Sequence, residues 1–209
     1  MSMIKWSISG QPLILASASP TRAKLLEAAK LFFTIIPAAV DEEAIKHSAL
    51  QNGLSHKDLV ELLAEFKAKT VSQQHMGYVL GCDQLLVCGE QSFSKPKNIG
   101  EAKAHLLALQ GRKHALMTAC VLFYDQKRIW HYISTSNLTM RALSEAEIDY
   151  YIAAFPEACL STPGAYQVEL GGAHLFADII GPNYDILGLP LLPLLAFLRD
   201  RGLEAKQTG

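Results

Sequence analysis

The stretch Leu-Ile-Leu-Ala-Ser-Ala-Ser-Pro-Thr-Arg, residues 13–22, decides the fold class of this chain. Its first four residues form a short apolar run that predicts a buried strand. Ser19 and Pro20 are the residue types preferred at the N-cap and the first position of a helix. A strand followed at once by a helix predicts an α/β or α+β protein, because the elements further along continue to alternate in type.

Helix signals recur downstream. An apolar stripe with helical spacing predicts an amphipathic helix, with Ser55 or Ser48 as its start; its members are Leu59, Leu62, Leu63 and Phe66. Ser144 and Glu147 stand three apart, as in a capping box, and predict the start of another helix. Pro156 lies just past the expected end of that helix.

Three strands are predicted in the middle of the chain. The apolar run at residues 78–87 is the first, and Asp125-Gln126 is the expected turn between two longer strands at residues 115–124 and 130–140. Together with the helices, these strands fit one domain spanning residues 1–209, with two lobes.

Composition excludes several classes of protein. Half of the 209 residues are apolar, and 19 Lys and Arg balance 20 Asp and Glu, so the chain is neither disordered nor basic enough to bind nucleic acid through its overall field. It has no apolar run of the length that a membrane span or a secretory signal needs. Four cysteines without CxxC spacing indicate reduced thiols in a cytosolic protein. We therefore expect no nucleic-acid partner, no membrane and a cytoplasmic location.

The strand-to-helix junction is the first candidate site. Ser17 and Ser19, a helix N-terminus and Arg22 bring hydroxyls, free backbone N–H groups and a guanidinium together, a combination suited to phosphate. A plain capped helix with a surface arginine explains the same residues.

Asp83 is the second candidate, since it interrupts an apolar strand where an acid is costly unless it is paired or bound to metal. It is a possible general base or Mg²⁺ ligand, or else a strand-end aspartate that caps a turn. Asp41, Glu42 and Glu43 form an acidic cluster that fits a cation site, a solvated loop or a helix start. Lys67 is a further candidate for neutralising phosphate.

Lys95, in the Ser-Lys-Pro sequence at residues 94–96, is the last candidate for neutralising phosphate. On sequence alone, both it and Lys67 fit surface lysines equally well. The glycine-rich stretches at residues 163–172 and 181–190 predict tight turns and match no dinucleotide-binding fingerprint.

Taken in order, these segments resemble the Maf family of nucleoside triphosphate pyrophosphatases. The resemblance spans residues 13 to 190 and is carried by residues 13–22, 40–42, 63–69, 81–84, 94–96, 164–166 and 188–190. It implies a two-lobed α/β fold, like that of inosine triphosphatases, with a twisted mixed sheet and a central cleft that holds the active site. It also implies a homodimer that hydrolyses a nucleoside triphosphate to the monophosphate and pyrophosphate with Mg²⁺, Mn²⁺ or a similar divalent ion.

The resemblance assigns roles to individual residues. Asp83 matches the catalytic acid that activates water and also helps to hold the metal, together with Glu42. The positions that bind the triphosphate are matched by Ser17, Arg22, Lys67 and Lys95.

Three departures from the commonest family pattern bear on the substrate. Thr21 replaces the first of two arginines, Gln84 follows Asp83 where threonine is usual, and Glu169 replaces a glutamine. The commonest pattern goes with dTTP and UTP, whereas Gln84 and Glu169 resemble the branch that prefers 7-methyl-GTP. A carboxylate at position 169 can accept the N1–H and N2–H₂ donors of guanine and offset the charge of its methylated ring.

Other functions stay open at this point. The chain could be a dTTP and UTP pyrophosphatase, or a nucleotide-binding regulator of septum formation without turnover. A phosphatase acting on nucleoside monophosphates is a third possibility, and it differs from the first by releasing orthophosphate.

Overall fold

The structure of the protein is a computed structural model that describes residues 3–8 and 10–208. It is a mixed α/β protein, which confirms the predicted fold class. Within these residues the strands are β1 Met3–Ile8, β2 Leu13–Leu15, β3 Phe33–Ile35, β4 Tyr78–Cys88, β5 Gln91–Phe93, β6 Lys113–Tyr124, β7 Lys127–Met140, β8 Phe176–Ile180 and β9 Leu203–Thr208. The helices are α1 Pro20–Ala28, α2 Glu42–Gln51, α3 His56–Ser72, α4 Ile99–Leu109, α5 Glu145–Ala154, α6 Pro156–Ser161, α7 Asn183–Ile186 and α8 Leu191–Asp200.

The residues cluster into two compact units, each made of separate chain segments. Unit 1 comprises the chain up to Gln84, Thr118–Ser134 and the chain from Pro182 onward. Unit 2 comprises Leu85–Met117 and Thr135–Gly181. Strands β4, β6 and β7 therefore each contribute residues to both units.

Unit 1 contains a mixed sheet in the order β3-β2-β4-β6-β7. Strand β2 pairs in parallel with both β3 and β4, and Ile14 lies opposite Val79. A buried apolar cluster forms the core and includes Leu15, Leu26, Leu80 and Leu198. Separately, β1 and β9 pair as an antiparallel two-stranded ribbon, which the sequence signals did not predict.

The predicted starts of three helices are confirmed. Ser19 caps α1 and Ser55 caps α3, each accepting a hydrogen bond from the backbone N–H three residues on, whereas Ser48 lies inside α2. Ser144 and Glu147 form both bonds of a capping box at the start of α5. Pro156 does follow α5, but it also opens α6, because proline at the first helical position loses no hydrogen bond.

Unit 2 holds sheet strands in the order β5-β4-β6-β7-β8, with helices α4, α5 and α6. Its core includes a buried polar pair, in which His114 Nε2 and the Tyr166 hydroxyl lie 2.8 Å apart. Burial lowers the pKa of His114 to about 4. The imidazole is therefore neutral at pH 7 in the folded protein.

This depressed pKa predicts that the protein loses stability in acid. Below pH 6.5 the unfolded chain takes up a proton at His114 that the folded chain refuses until about pH 4, so falling pH favours unfolding across that window. We expect the free energy of unfolding in urea to fall by about 3 kcal/mol from this group between pH 7 and pH 4. His114→Gln should flatten that slope, and the exposed-site control His47→Gln should not. An unchanged slope in His114→Gln would show that other groups carry the acid sensitivity.

No helix among the described residues is both long and apolar enough to cross a membrane. All four cysteines are free, as expected, and each of them is buried.

Candidate active site

Arg22 points inward from the first turn of α1, so the surface arginine is the wrong alternative for this segment. Its side chain is buried and donates three hydrogen bonds within unit 1. Nη1 donates to Ser17 Oγ and to the Cys82 carbonyl, both at 3.0 Å, and Nε donates to the Gly188 carbonyl at 2.8 Å. The three acceptors lie after β2, on β4 and before α8. Because they hold the guanidinium from three separate segments of the chain, they fix its plane.

The remaining amino group of Arg22 is available for an anion. Among the described residues, no acceptor contacts the two N–H groups of Nη2. A guanidinium that is oriented by protein carbonyls and keeps one amino group free suits a phosphate oxygen.

Gly81 brings helix α3 against strand β4. A Cβ built on Gly81 would lie 2.2 Å from the Ala64 carbonyl oxygen and 2.6 Å from the Ala68 backbone nitrogen. Only glycine therefore permits this close approach of helix and strand. Lys67 lies on the same face of α3 and Asp83 on the same face of β4, so the approach also brings these two side chains together.

Lys67 links two acidic side chains that are far apart in sequence. Its Nζ lies 2.5 Å from Asp83 Oδ1 and 2.8 Å from Glu42 Oε1. Lys67 and Asp83 are both buried, which corrects the surface alternative for this lysine. The structure thus brings three of the predicted site residues into direct contact.

The neighbours of Glu42 have other partners. Asp41 caps α2 by accepting a hydrogen bond from the Ala44 N–H at 3.0 Å, and Glu43 pairs with Lys46. The acidic cluster is therefore the start of a helix, which was one of the predicted alternatives. Of its three carboxylates, Glu42 is the one that contacts Lys67.

Asp83 is placed in an environment that favours base chemistry. Burial raises the pKa of its carboxyl above the usual value, and the charges of Lys67 and Arg22 oppose that shift. A raised pKa moves a carboxylate toward the range in which it accepts a proton effectively at neutral pH. Since Oδ1 contacts Lys67, Oδ2 is the oxygen left to bind a water molecule.

Gln84 lies on the opposite face of β4 from Asp83. Its Nε2 donates to Thr118 Oγ1 at 2.8 Å and to the Ile186 carbonyl at 3.0 Å. Successive side chains of a strand alternate between its faces, so adjacency in sequence separates these two residues in space. Thr118 and the turn before Gly188 were missed as site residues because no local pattern marks a contact over such a distance in sequence.

The other predicted residues divide between the two units. Thr21 is half-buried in unit 1, whereas Lys95 and Glu169 are exposed in unit 2. Unit 2 also has a largely apolar cavity of about 400 Å³ that none of the predicted site residues line. Its walls include Tyr150, Tyr151 and Phe155.

The carboxylates fit a divalent cation that substrate would help to bind. No group of three or more His, Cys, Asp or Glu side chains within the described part of the chain could hold a metal ion by itself. Glu42 and Asp83 do converge on one ammonium group, so both can approach the same positive charge. Magnesium usually binds through one or two carboxylates and completes its shell with water and substrate phosphates.

Comparison with known proteins identifies the family to which this chain belongs. Residues 12–201 match the family model described as Maf-like protein. The chain belongs to the Maf family, which confirms the resemblance found in its motifs.

Similar proteins carry two kinds of name. A protein from Nitrobacter hamburgensis is 47% identical over 92% of this chain and 95% of its own length, and one from Paramagnetospirillum magneticum is 45% identical over 90% and 98%. Both are named nucleoside triphosphate pyrophosphatase. A protein from Mesorhizobium japonicum, 44% identical over 92% of this chain and 97% of its own, is named 7-methyl-GTP pyrophosphatase.

Proposed function

We propose that this protein is a nucleoside triphosphate pyrophosphatase that prefers 7-methyl-GTP and uses a divalent metal. The observation that carries the proposal is the buried Asp83 carboxylate, which pairs with Lys67 close to the inward-pointing Arg22. A reactive acid among fixed cations suits the hydrolysis of a polyanionic substrate. Membership of the Maf family and the names of similar proteins support the same class of enzyme.

Asp83 acts as the general base in this mechanism. A water molecule donates a proton to Asp83 Oδ2 as its oxygen attacks the α-phosphorus of the nucleotide. The new phosphorus–oxygen bond forms as the bond from the α-phosphorus to the bridging oxygen breaks, and pyrophosphate leaves with that oxygen. The products are a nucleoside monophosphate and pyrophosphate.

The cationic side chains bind the phosphates equally in the substrate and in the transition state. Arg22 offers Nη2 while Ser17, Cys82 and Gly188 hold its plane. Lys67 sets the position of Asp83 and limits the rise of its pKa. A divalent ion held by Glu42 and Asp83 would supply further charge neutralisation at the phosphates.

The preference for 7-methyl-GTP rests on Glu169. Its exposed carboxylate can accept two hydrogen bonds from the guanine edge and offset the positive charge that N7 methylation leaves on the ring. A glutamine at this position accepts fewer of these bonds and offsets no charge. The name of the relative from Mesorhizobium japonicum supports the same substrate.

Glu169→Gln tests this preference in a nucleotide panel. We expect kcat/KM for 7-methyl-GTP to fall about tenfold, the value of one charge-assisted hydrogen bond, with a smaller fall for GTP, which presents the same guanine edge without the ring charge, and changes below about twofold for UTP and dTTP. Pyrophosphate release with Mg²⁺ and with Mn²⁺ is the measurement. Glu157→Gln, at another exposed acid of unit 2, is the matched control. Equal losses on all four nucleotides would remove Glu169 from base recognition, and higher activity of the unmodified protein on UTP and dTTP would overturn the preference.

A further inference from the structure

The backbone carbonyl of Asp185 is held by two side chains of neighbouring strands in unit 1. Thr118 Oγ1, on β6, donates to this oxygen at 2.9 Å, and Gln84 Nε2, on β4, donates to it at 3.2 Å. Thr118 is almost completely buried, with 1% of its surface exposed. Its hydroxyl also accepts the 2.8 Å bond from Gln84, so the two side chains and the carbonyl form a closed set of contacts.

The same carbonyl sets the position of Gly188. The Gly188 N–H donates to the Asp185 oxygen at 3.0 Å and thereby closes the turn over residues 185–188. Gly188 has a φ of +90°, and a Cβ there would lie 3.5 Å from the Arg22 Nε and Nη2 atoms. Its own carbonyl then accepts the 2.8 Å bond from Arg22 Nε. A continuous path of hydrogen bonds therefore leads from Thr118 to the guanidinium.

We infer that Thr118 is a positioning residue of the triphosphate site, acting together with Gln84 through the turn at residues 185–188 on the orientation of Arg22. The inference rests on the proposed function, because it takes Arg22 as a phosphate ligand. Thr118 itself touches neither Arg22 nor, in the proposed mechanism, the reacting atoms. The Thr118 hydroxyl holds the Asp185 carbonyl, and that carbonyl accepts the hydrogen bond from the Gly188 N–H. The Gly188 carbonyl in turn holds the guanidinium plane in which Arg22 presents Nη2.

The contacts of Gln84 also limit the ways in which it can affect substrate binding. Its two N–H groups are shared among three protein acceptors, so the amide nitrogen is committed to the turn. Gln84 cannot donate a hydrogen bond to a nucleobase without releasing that turn. Its effect on the substrate therefore passes through Arg22 or through its carbonyl oxygen.

The primary test compares Thr118→Val with Thr118→Ser. Valine keeps the shape of threonine and removes the hydroxyl, whereas serine keeps the hydroxyl. With 7-methyl-GTP and Mg²⁺, we expect Thr118→Val to raise KM about tenfold with kcat within about twofold, as for the loss of one bond to a charged group. Thr118→Ser should restore KM to within about twofold of the unmodified protein. Ser72→Ala is the matched control, since it removes another buried hydroxyl that donates to a backbone carbonyl, at 2.9 Å.

A second readout does not depend on turnover. The Arg22 Nε–H resonance in a ¹⁵N spectrum, assigned by its loss in Arg22→Lys, should exchange slowly with solvent because it is buried and bonded to Gly188. Thr118→Val should speed that exchange by at least about tenfold, as local opening becomes easier, and Ser72→Ala should not. Gln84→Met, which keeps the length of the side chain without its donors, should speed the exchange to the same extent. It replaces Thr118→Val in this measurement if the Thr118→Val protein does not fold.

The outcomes separate this inference from the proposed function. Unchanged KM and unchanged exchange in both Thr118→Val and Gln84→Met would overturn the positioning role. A fall in kcat with unchanged KM would also overturn the positioning role. Arg22 is proposed to bind the phosphates equally in the substrate and in the transition state, so a change in its orientation should alter KM. If the unmodified protein releases no pyrophosphate from any nucleotide, the proposed function fails, and the Arg22 resonance still decides whether the path holds the guanidinium.

Discussion

Replacing Asp83 with asparagine should lower kcat for pyrophosphate release by about a thousandfold, within the range lost when a general base is removed. Asparagine keeps nearly the same shape and can still accept a hydrogen bond from Lys67, so the contact between α3 and β4 survives. What it loses is the ability to take a proton from water. The fold should therefore remain, as circular dichroism and thermal unfolding would show.

The pH profile gives this prediction a second signature. Burial raises the pKa of Asp83, so activity of the unmodified protein should increase with pH through a value above the usual range of an aspartate. The residual activity of Asp83→Asn should lack that acid limb. Glu43→Gln, which removes a carboxylate paired with Lys46 at the surface of α2, is the control and should retain both kcat and the profile. A loss below about tenfold in Asp83→Asn would place the base on another residue.

Replacing Gly81 with alanine should destabilise the protein by about 3 kcal/mol or more, the upper range for overpacking a close contact. The new Cβ would meet backbone atoms of Ala64 and Ala68, and neither can rotate away. Helix α3 must then move off β4, which also separates Lys67 from Asp83. We expect thermal unfolding about 10 °C lower and a loss of activity in whatever protein folds.

Gly100→Ala is the matched control for this substitution. Gly100 also has an ordinary φ, but it lies in α4, and its nearest obstacle is the Asn98 side-chain oxygen at 3.3 Å. The change in stability there should stay below about 1 kcal/mol. Similar stability of the Gly81→Ala and Gly100→Ala proteins would mean that the approach of α3 to β4 does not depend on glycine.

Local signals in the sequence were sufficient for much of the fold. Ser55 and Ser144 mark helix starts because a cap is a contact between residues three apart. The turn at Asp125-Gln126 joins β6 and β7 as predicted, and both of its residues have positive φ. The β1–β9 ribbon was missed because the partners come from opposite ends of the chain, and no local pattern encodes such a pairing.

Less of the candidate site than of the fold could be predicted from the sequence. An acid inside an apolar strand made Asp83 a candidate on physical grounds, whereas the roles of Lys67 and Glu42 came from the family resemblance. Nothing near Lys67 in the sequence indicates that Gly81 lets its helix reach the strand. The separation of Gln84 from Asp83 follows from strand alternation alone and could have been predicted.

The role of Asp83 is tested most simply by identifying the phosphorus products released from 7-methyl-GTP by the unmodified protein and by Asp83→Asn. Phosphorus NMR of the reaction with Mg²⁺ distinguishes pyrophosphate from orthophosphate without a coupling enzyme. We expect equal amounts of monophosphate and pyrophosphate from the unmodified protein and about a thousandfold slower release from Asp83→Asn. Orthophosphate as the primary product, or equal rates from the two proteins, would contradict the assignment of Asp83 as the base that directs water to the α-phosphorus.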